Sequence, residues 1–183
     1  MRSTLYLKFI IVYIIFGFLS MFTVSILTPS LAEAPLIGNM ATNLYRQAAQ
    51  MASDYLPGYF SEQISLSDVR MQLSGMKTQL NAAVWFVDRE GNMITSAQSG
   101  SFPSAPATIE AFNPAEAGSS QYLVGDYHEY FEEDVITVIS PVVDGYSPKG
   151  YLIVHKDMSD LDMILNTLKM SVFITLIVIY ALS

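Results

Sequence analysis

The chain has 183 residues, 51% of them hydrophobic, a formal net charge of −8 and no cysteine. An acidic chain repels phosphate, which argues against a nucleic-acid partner, and the lack of cysteine excludes disulfides, thiolate metal sites and thiol redox chemistry. The charge is uneven: residues 28–168 hold all 17 acidic side chains, against Arg46, Arg70, Lys77, Arg89, Lys149 and Lys156, and an apolar run lies at each end.

Phe9 to Leu27 is 19 residues without a charge. With Leu5 to Lys8 added, it would extend about 34 Å as a helix, more than the roughly 30 Å hydrocarbon core. Residues 9–27 are therefore expected to form a transmembrane helix. A cleaved secretory leader competes with this reading, because Ala32-Glu33-Ala34 has the small-x-small pattern of a cleavage site. Against a leader, the apolar core exceeds the roughly 7–15 residues usual there, and Pro35 fits poorly just after a cut. Arg2 and Lys8 precede the span, which places residues 1–8 in the cytoplasm by the positive-inside rule. Residues 28–168, of single-domain size, are then outside.

Beyond the span, Leu44, Ala48, Met51, Ala52 and Tyr55 recur at helical steps, and Pro57-Gly58 should end that helix. A second helix is expected with Ser67 as N-cap and Val69, Leu73, Met76 and Leu80 on one face. Val84 to Val87 is β-branched and aromatic on both faces, as a strand covered on both sides would be. Asp88-Arg89-Glu90-Gly91 supplies a turn into a second strand ending near Ala97. Residues 98–120, rich in Pro, Ser, Ala and Gly, read as a long connection with one short helix near Ala115.

Three further strands are expected after Tyr122. The last two, Val135 to Val143 and Tyr151 to Lys156, flank the turn "DGYSPKG". Ser159 is the expected N-cap of a final helix, with Asp160 and Asp162 at its positive end. Leu161, Ile164, Leu165 and Leu168 make a stripe that continues without a breaker into Met170–Ser183. That uncharged run of 14 residues is shorter than the roughly 20 a span needs, so residues 169–183 read as the start of a second, truncated transmembrane helix. A shift of the strand before Ser159 would be carried into it as a push or twist. The fold class expected is α+β, an antiparallel sheet with helices packed on one face.

Three stretches carry a family resemblance: "VWFVDREGNMITSA", "VISPVVDGYSPKGYLIVHKDMSDLDMIL" and "LYRQAAQMASDYL". Together they resemble the extracellular Cache or PDC sensor domain, a PAS-like group, of bacterial membrane histidine kinases. The resemblance covers essentially the whole chain. It implies a PAS-like sheet of about five strands with a long N-terminal helix, flanked by two transmembrane helices. It also implies a homodimer in the bacterial plasma membrane that senses a small-molecule ligand or an envelope stimulus. A kinase core following the second span, where ATP would bind and a response regulator would dock, is expected by the same analogy. A chemotaxis receptor, a cyclic-nucleotide enzyme or a membrane-tethered binding protein are the alternative assignments.

The chemistry-bearing residues are few. His128 and His155 sit in no metalloprotease, hydrolase or P-loop motif, so no catalytic residue is expected in this segment. Trp85, Tyr122, Tyr127, Tyr151 and His155 could line a ligand pocket over the sheet, although an aromatic group of this kind is more often plain core. His155, in an alternating strand, reads otherwise as an exposed or inert residue. In "GDYHEYFEEDV", Asp126, Glu129, Glu132, Glu133 and Asp134 could form a weak Ca²⁺ or Mg²⁺ site, since carboxylates suit hard cations. Through such cations they could also touch anionic membrane lipid. The competing reading is a solvated acidic loop. Leu161, Ile164, Leu165 and Leu168 are the candidates for coupling a stimulus to the membrane.

Overall fold

The structure, a computed structural model, describes residues 2–100, 102–116 and 122–182. The first helix, α1 (Arg2–Asp54), joins the expected span and the expected first ectodomain helix without a break. After it come α2 (Pro57–Phe60), α3 (Leu66–Leu80), β1 (Ala83–Asp88), β2 (Met93–Ala97), β3 (Tyr122–Gly125), β4 (Val135–Asp144), β5 (Ser147–Asp157) and α4 (Ser159–Leu182). By contacts the chain forms two units, one of residues 38–158 and one of residues 1–37 with 159–183.

The larger unit is built on a five-stranded antiparallel sheet of order β2-β1-β5-β4-β3. This is the α+β fold the sequence leads one to expect. Its register sorts the side chains, because directly opposed residues in an antiparallel pair share a face. Trp85 is opposite Ile153, and Ala83 is opposite His155. His155 in turn is opposite Thr137, which is opposite Leu123. One face therefore presents Trp85, Val87, Tyr151, Ile153, His155, Val135, Thr137, Ile139 and Leu123. The other presents Val84, Phe86, Leu152, Val154, Ile136, Val138 and Val142. That second face is covered by helices, α3 against β1 and β2 and α2 against β4, with the Tyr59 and Phe60 rings each 5.7 Å from Phe86. Both faces of β1 are thus buried, which is why its sequence is apolar throughout.

Ala41, Leu44, Ala48, Ala52 and Leu56 are buried at three- and four-residue steps. The α1 stripe runs through small alanines, and Met51 and Tyr55 flank it half-buried. Pro57 does not end α1 but opens the single turn of α2, at the first helical position where a missing N–H costs nothing. The N-cap of α3 is Ser65 rather than Ser67. Ser65 and Asp68 form a reciprocal capping box, and the serine hydrogen bonds hold the Asp68 carboxyl below its ordinary range. At the other end of α3, Lys156 Nζ donates to the Leu80 carbonyl at 2.9 Å, a cation at a helix C-terminus.

The β1–β2 turn is tied by Asp88, whose carboxylate accepts from Glu90 N, Asn92 N and Asn92 Nδ2 at 2.8–2.9 Å. Partial burial raises the Asp88 carboxyl, and these bonds outweigh it, leaving the group below its usual range. Gly91 has φ +87° there, open to glycine without strain. β5 begins at Ser147, earlier than Tyr151, because the β4–β5 hairpin closes on Gly145-Tyr146. Pro148 is accommodated at the register shift beyond Val142. The short helix expected near Ala115 is a turn at Pro114–Glu116, and residues 117–121 lie outside the described residues. Ser159 is the first helical residue of α4 rather than its cap.

In the smaller unit, two helices among the described residues are long and apolar enough to cross a membrane: the N-terminal apolar part of α1, and α4. The Tyr13 and Tyr180 rings meet edge-on at 5.2 Å, and Tyr13 Oη donates to the Tyr180 carbonyl at 3.4 Å. Gly17 lies under the Tyr180 ring, where a Cβ would sit only 3.0 Å away.

Candidate functional site

Three of the five candidate ligand residues converge on the sheet face opposite the helices. His155 on β5 is fully buried, with Trp85 of β1 beside it at a ring-centroid distance of 4.3 Å. Tyr127, from the segment after β3, is 4.7 Å from His155 and 6.2 Å from Trp85. Phe131 completes the group, stacked on Trp85 at 5.7 Å and 25° and lying 4.8 Å from His155. Tyr151 packs half-buried against the same cluster, its ring 5.4 Å from Phe112. Tyr122 does not join them: it is opposite Val138, so it stands on the helix-covered face.

The expectation of an exposed His155 is corrected. Sheet register puts it on the face of Trp85 and Thr137, and the 126–131 segment covers that face. Thr137 Oγ1 and His155 Nδ1 share a hydrogen bond of 2.8 Å. Complete burial depresses the imidazole pKa to about 3, because charge is costly without water or a carboxylate partner. Burial, then Glu116 and Tyr130, raise the Tyr127 phenol above its usual range. Both groups are neutral hydrogen-bonding side chains at physiological pH.

Among the described residues, three polar atoms in this cluster have no hydrogen-bond partner: Trp85 Nε1, Tyr127 Oη and His155 Nε2. Buried polar groups are nearly always paired, so three unpaired ones on rings in mutual contact set this face apart from ordinary core. The covering segment is strained as well. Tyr127, His128 and Glu129 have φ of 40°, 59° and 62°, a left-handed run that costs non-glycine residues on the order of 1–2 kcal/mol each. Its ties include Phe131 N to the Asp126 carbonyl at 3.2 Å and His128 Nε2 to Glu116 at 3.1 Å. Tyr130 Oη accepts from Glu110 N at 3.3 Å and donates to the Thr108 carbonyl at 3.4 Å.

Asp126, Glu129, Glu132, Glu133 and Asp134 are all exposed. Among the described residues no three His, Asp or Glu side chains are grouped to hold a metal ion. Of the coupling candidates, Leu161 and Leu165 are buried, whereas Ile164 and Leu168 are exposed.

Phe131 and Thr137 were missed in the sequence. For Thr137 the signal was available, since alternation along β4 puts it beside Val135 and Ile139 on one face. For Phe131 it was not, because the residue lies outside any periodic element.

No protein-family model matches this chain, and no curated protein sequence does. Solved structures to which this chain is similar include the sensor domain of the Vibrio cholerae histidine kinase DctB, at 15% identity and TM-score 0.45, covering 75% of this chain and 58% of that one. Another is the ligand-binding domain of the Campylobacter jejuni chemoreceptor Tlp3, solved with 4-methylisoleucine, at 19% identity and TM-score 0.47, covering 78% and 57%. A third is the extracellular domain of vpHK1S-Z8, assigned as a histidine kinase, at 14% identity and TM-score 0.47, covering 74% and 60%. The chain spans somewhat under two thirds of the length of each.

Proposed function

We propose that this chain is the extracytoplasmic sensing and transmembrane part of a bacterial receptor. Its aromatic sheet face reads a small-molecule or envelope stimulus and passes it to the membrane. The observation that carries this reading is the continuity of β5 and α4. Tyr151, Ile153 and His155 place the cluster on β5, and the apolar helix begins two residues after the strand ends, at Ser159. A change in the packing around His155 therefore acts on the strand that leads directly into a membrane helix. The sequence resemblance to Cache sensors supports the same role. By that analogy the receptor is a homodimer with a histidine kinase output, acting on a response regulator.

A stimulus would shift the balance between two arrangements of the domain, as any ligand must by differential affinity. The test fuses residues 1–183 to a kinase core of known output in a cell membrane and reads phosphorylation. Two substitutions, His155→Ala in the cluster and Leu165→Asp on the buried side of α4, should each shift output while the protein still reaches the membrane. Unchanged output in both would sink the coupling proposal.

A further inference from the structure

The atoms of the aromatic cluster that are unpaired among the described residues restrict what a ligand there would have to offer. Trp85 Nε1–H can only donate, Tyr127 Oη can donate or accept, and His155 Nε2 takes whichever role its tautomer leaves. A ligand serving all three must offer an acceptor, which excludes a simple ammonium. Trp85, Tyr127, Phe131, Thr137 and His155 carry no charge that could offset a buried ion, and on the covering segment the exposed carboxylates of Asp126, Glu129, Glu132, Glu133 and Asp134 outnumber the one exposed imidazole, His128, which is itself tied to Glu116. Those carboxylates repel an anion. What remains is an uncharged molecule with a planar apolar body and a polar head that both accepts and donates.

Phe131 shows where the body would go. It is the one member of the group with no polar atom, it lies flat on Trp85, and it belongs to a loop, followed by exposed Glu132, Glu133 and Asp134 before β4 begins. The left-handed run at Tyr127, His128 and Glu129 turns the chain back so that Phe131 reaches Trp85. We infer that the Phe131 ring occupies the site of an uncharged, amide-like aromatic ligand, which takes its place on Trp85 and pairs with Trp85 Nε1, Tyr127 Oη and His155 Nε2. This rests on the sensing role proposed above and names the class of molecule sensed.

Trp85 is the only tryptophan in the chain, so its emission reports this site directly. The full chain in lipid nanodiscs is titrated with benzamide, benzoate and benzyltrimethylammonium, probes that share one ring and differ in charge. Benzamide alone should give a saturable change. Tyr127→Phe keeps the ring and loses one hydrogen bond, so it should weaken benzamide roughly three- to tenfold. Phe131→Ala removes the competing ring and should tighten it. No saturable response to benzamide, a stronger response to either charged probe, or an unchanged dissociation constant in Tyr127→Phe would overturn the inference. The titration needs no signal through the membrane. It can fail while the kinase fusion still responds, and succeed while the fusion is silent.

Discussion

At the scale of single residues, His155 dominates. Its folded pKa, about 3 against an ordinary 6.5, means that between those pH values the unfolded chain binds a proton that the folded one refuses. The stability this group contributes is complete above pH 6.5 and declines as pH falls, by up to about 1.4 kcal/mol per pH unit. Thermal unfolding midpoints should therefore drop on acidification from 6.5, and His155→Phe should flatten that slope down to about pH 4. Below that, Asp68 and Asp88, both lower than their ordinary 3.8, lose their own stabilising contribution as they protonate, and the variant should fall with the wild type. A slope unchanged by His155→Phe would show that the imidazole does not carry the effect. Tyr127→Phe deletes a buried hydroxyl without a partner among the described residues, so denaturant unfolding should find it more stable by about 1 kcal/mol. Substitutions that improve stability while removing a polar group mark a site built for something other than packing.

The elements respond differently, because there the backbone sets the limits. A Cβ on Gly150 of β5 would run into the carbonyl oxygen of Val87 and crowd the Phe60 ring, so Gly150→Ala must push β5 away from β1. We expect a loss of roughly 1–3 kcal/mol, as overpacking usually costs. Amide exchange should rise along Trp85–Asp88, and retained protection there would show that the strand pair absorbs the methyl. On α3, Ser65→Ala removes one half of the capping box and should cost about 1 kcal/mol. Ser67→Ala, at the position the sequence favoured, should cost much less. The sequence pattern S-L-S-D offered two serines, and only backbone geometry, Ser65 at ψ 161° with its side chain accepting from Asp68 N, distinguishes the cap from its neighbour.

For the whole molecule, the proposed topology across a membrane can be tested directly. The chain has no cysteine, so single cysteines can be placed without background. Tyr146 at the β4–β5 turn is fully exposed. A cysteine there should react with a membrane-impermeant maleimide in intact cells. One at Ser3 should react only after permeabilisation. The reverse labelling would invert the topology read from Arg2 and Lys8. Labelling of neither in intact cells would remove the extracytoplasmic assignment.

Much of this architecture was legible because it depends on local pattern. Apolar length marked both membrane-competent helices, alternation and β-branching marked the strands, and Asp88 with Gly91 marked the hairpin. The sheet's membership and the inward orientation of His155 were another matter. Alternation says that His155 and Lys156 point to opposite faces but not which face is covered. That was decided by packing, with α2 and α3 on one side and the Asp126–Phe131 segment folded over the other. The same packing separated Tyr122 from Trp85 and brought in Phe131, whose position depends on three left-handed residues that no propensity favours. Sequence by itself determined the order of elements, since each obeys short-range sterics and hydrophobic periodicity. Only tertiary structure decided which rings meet, because contact between residues as distant as Trp85, Phe131 and His155 depends on sheet register and loop closure rather than on their neighbours in the chain.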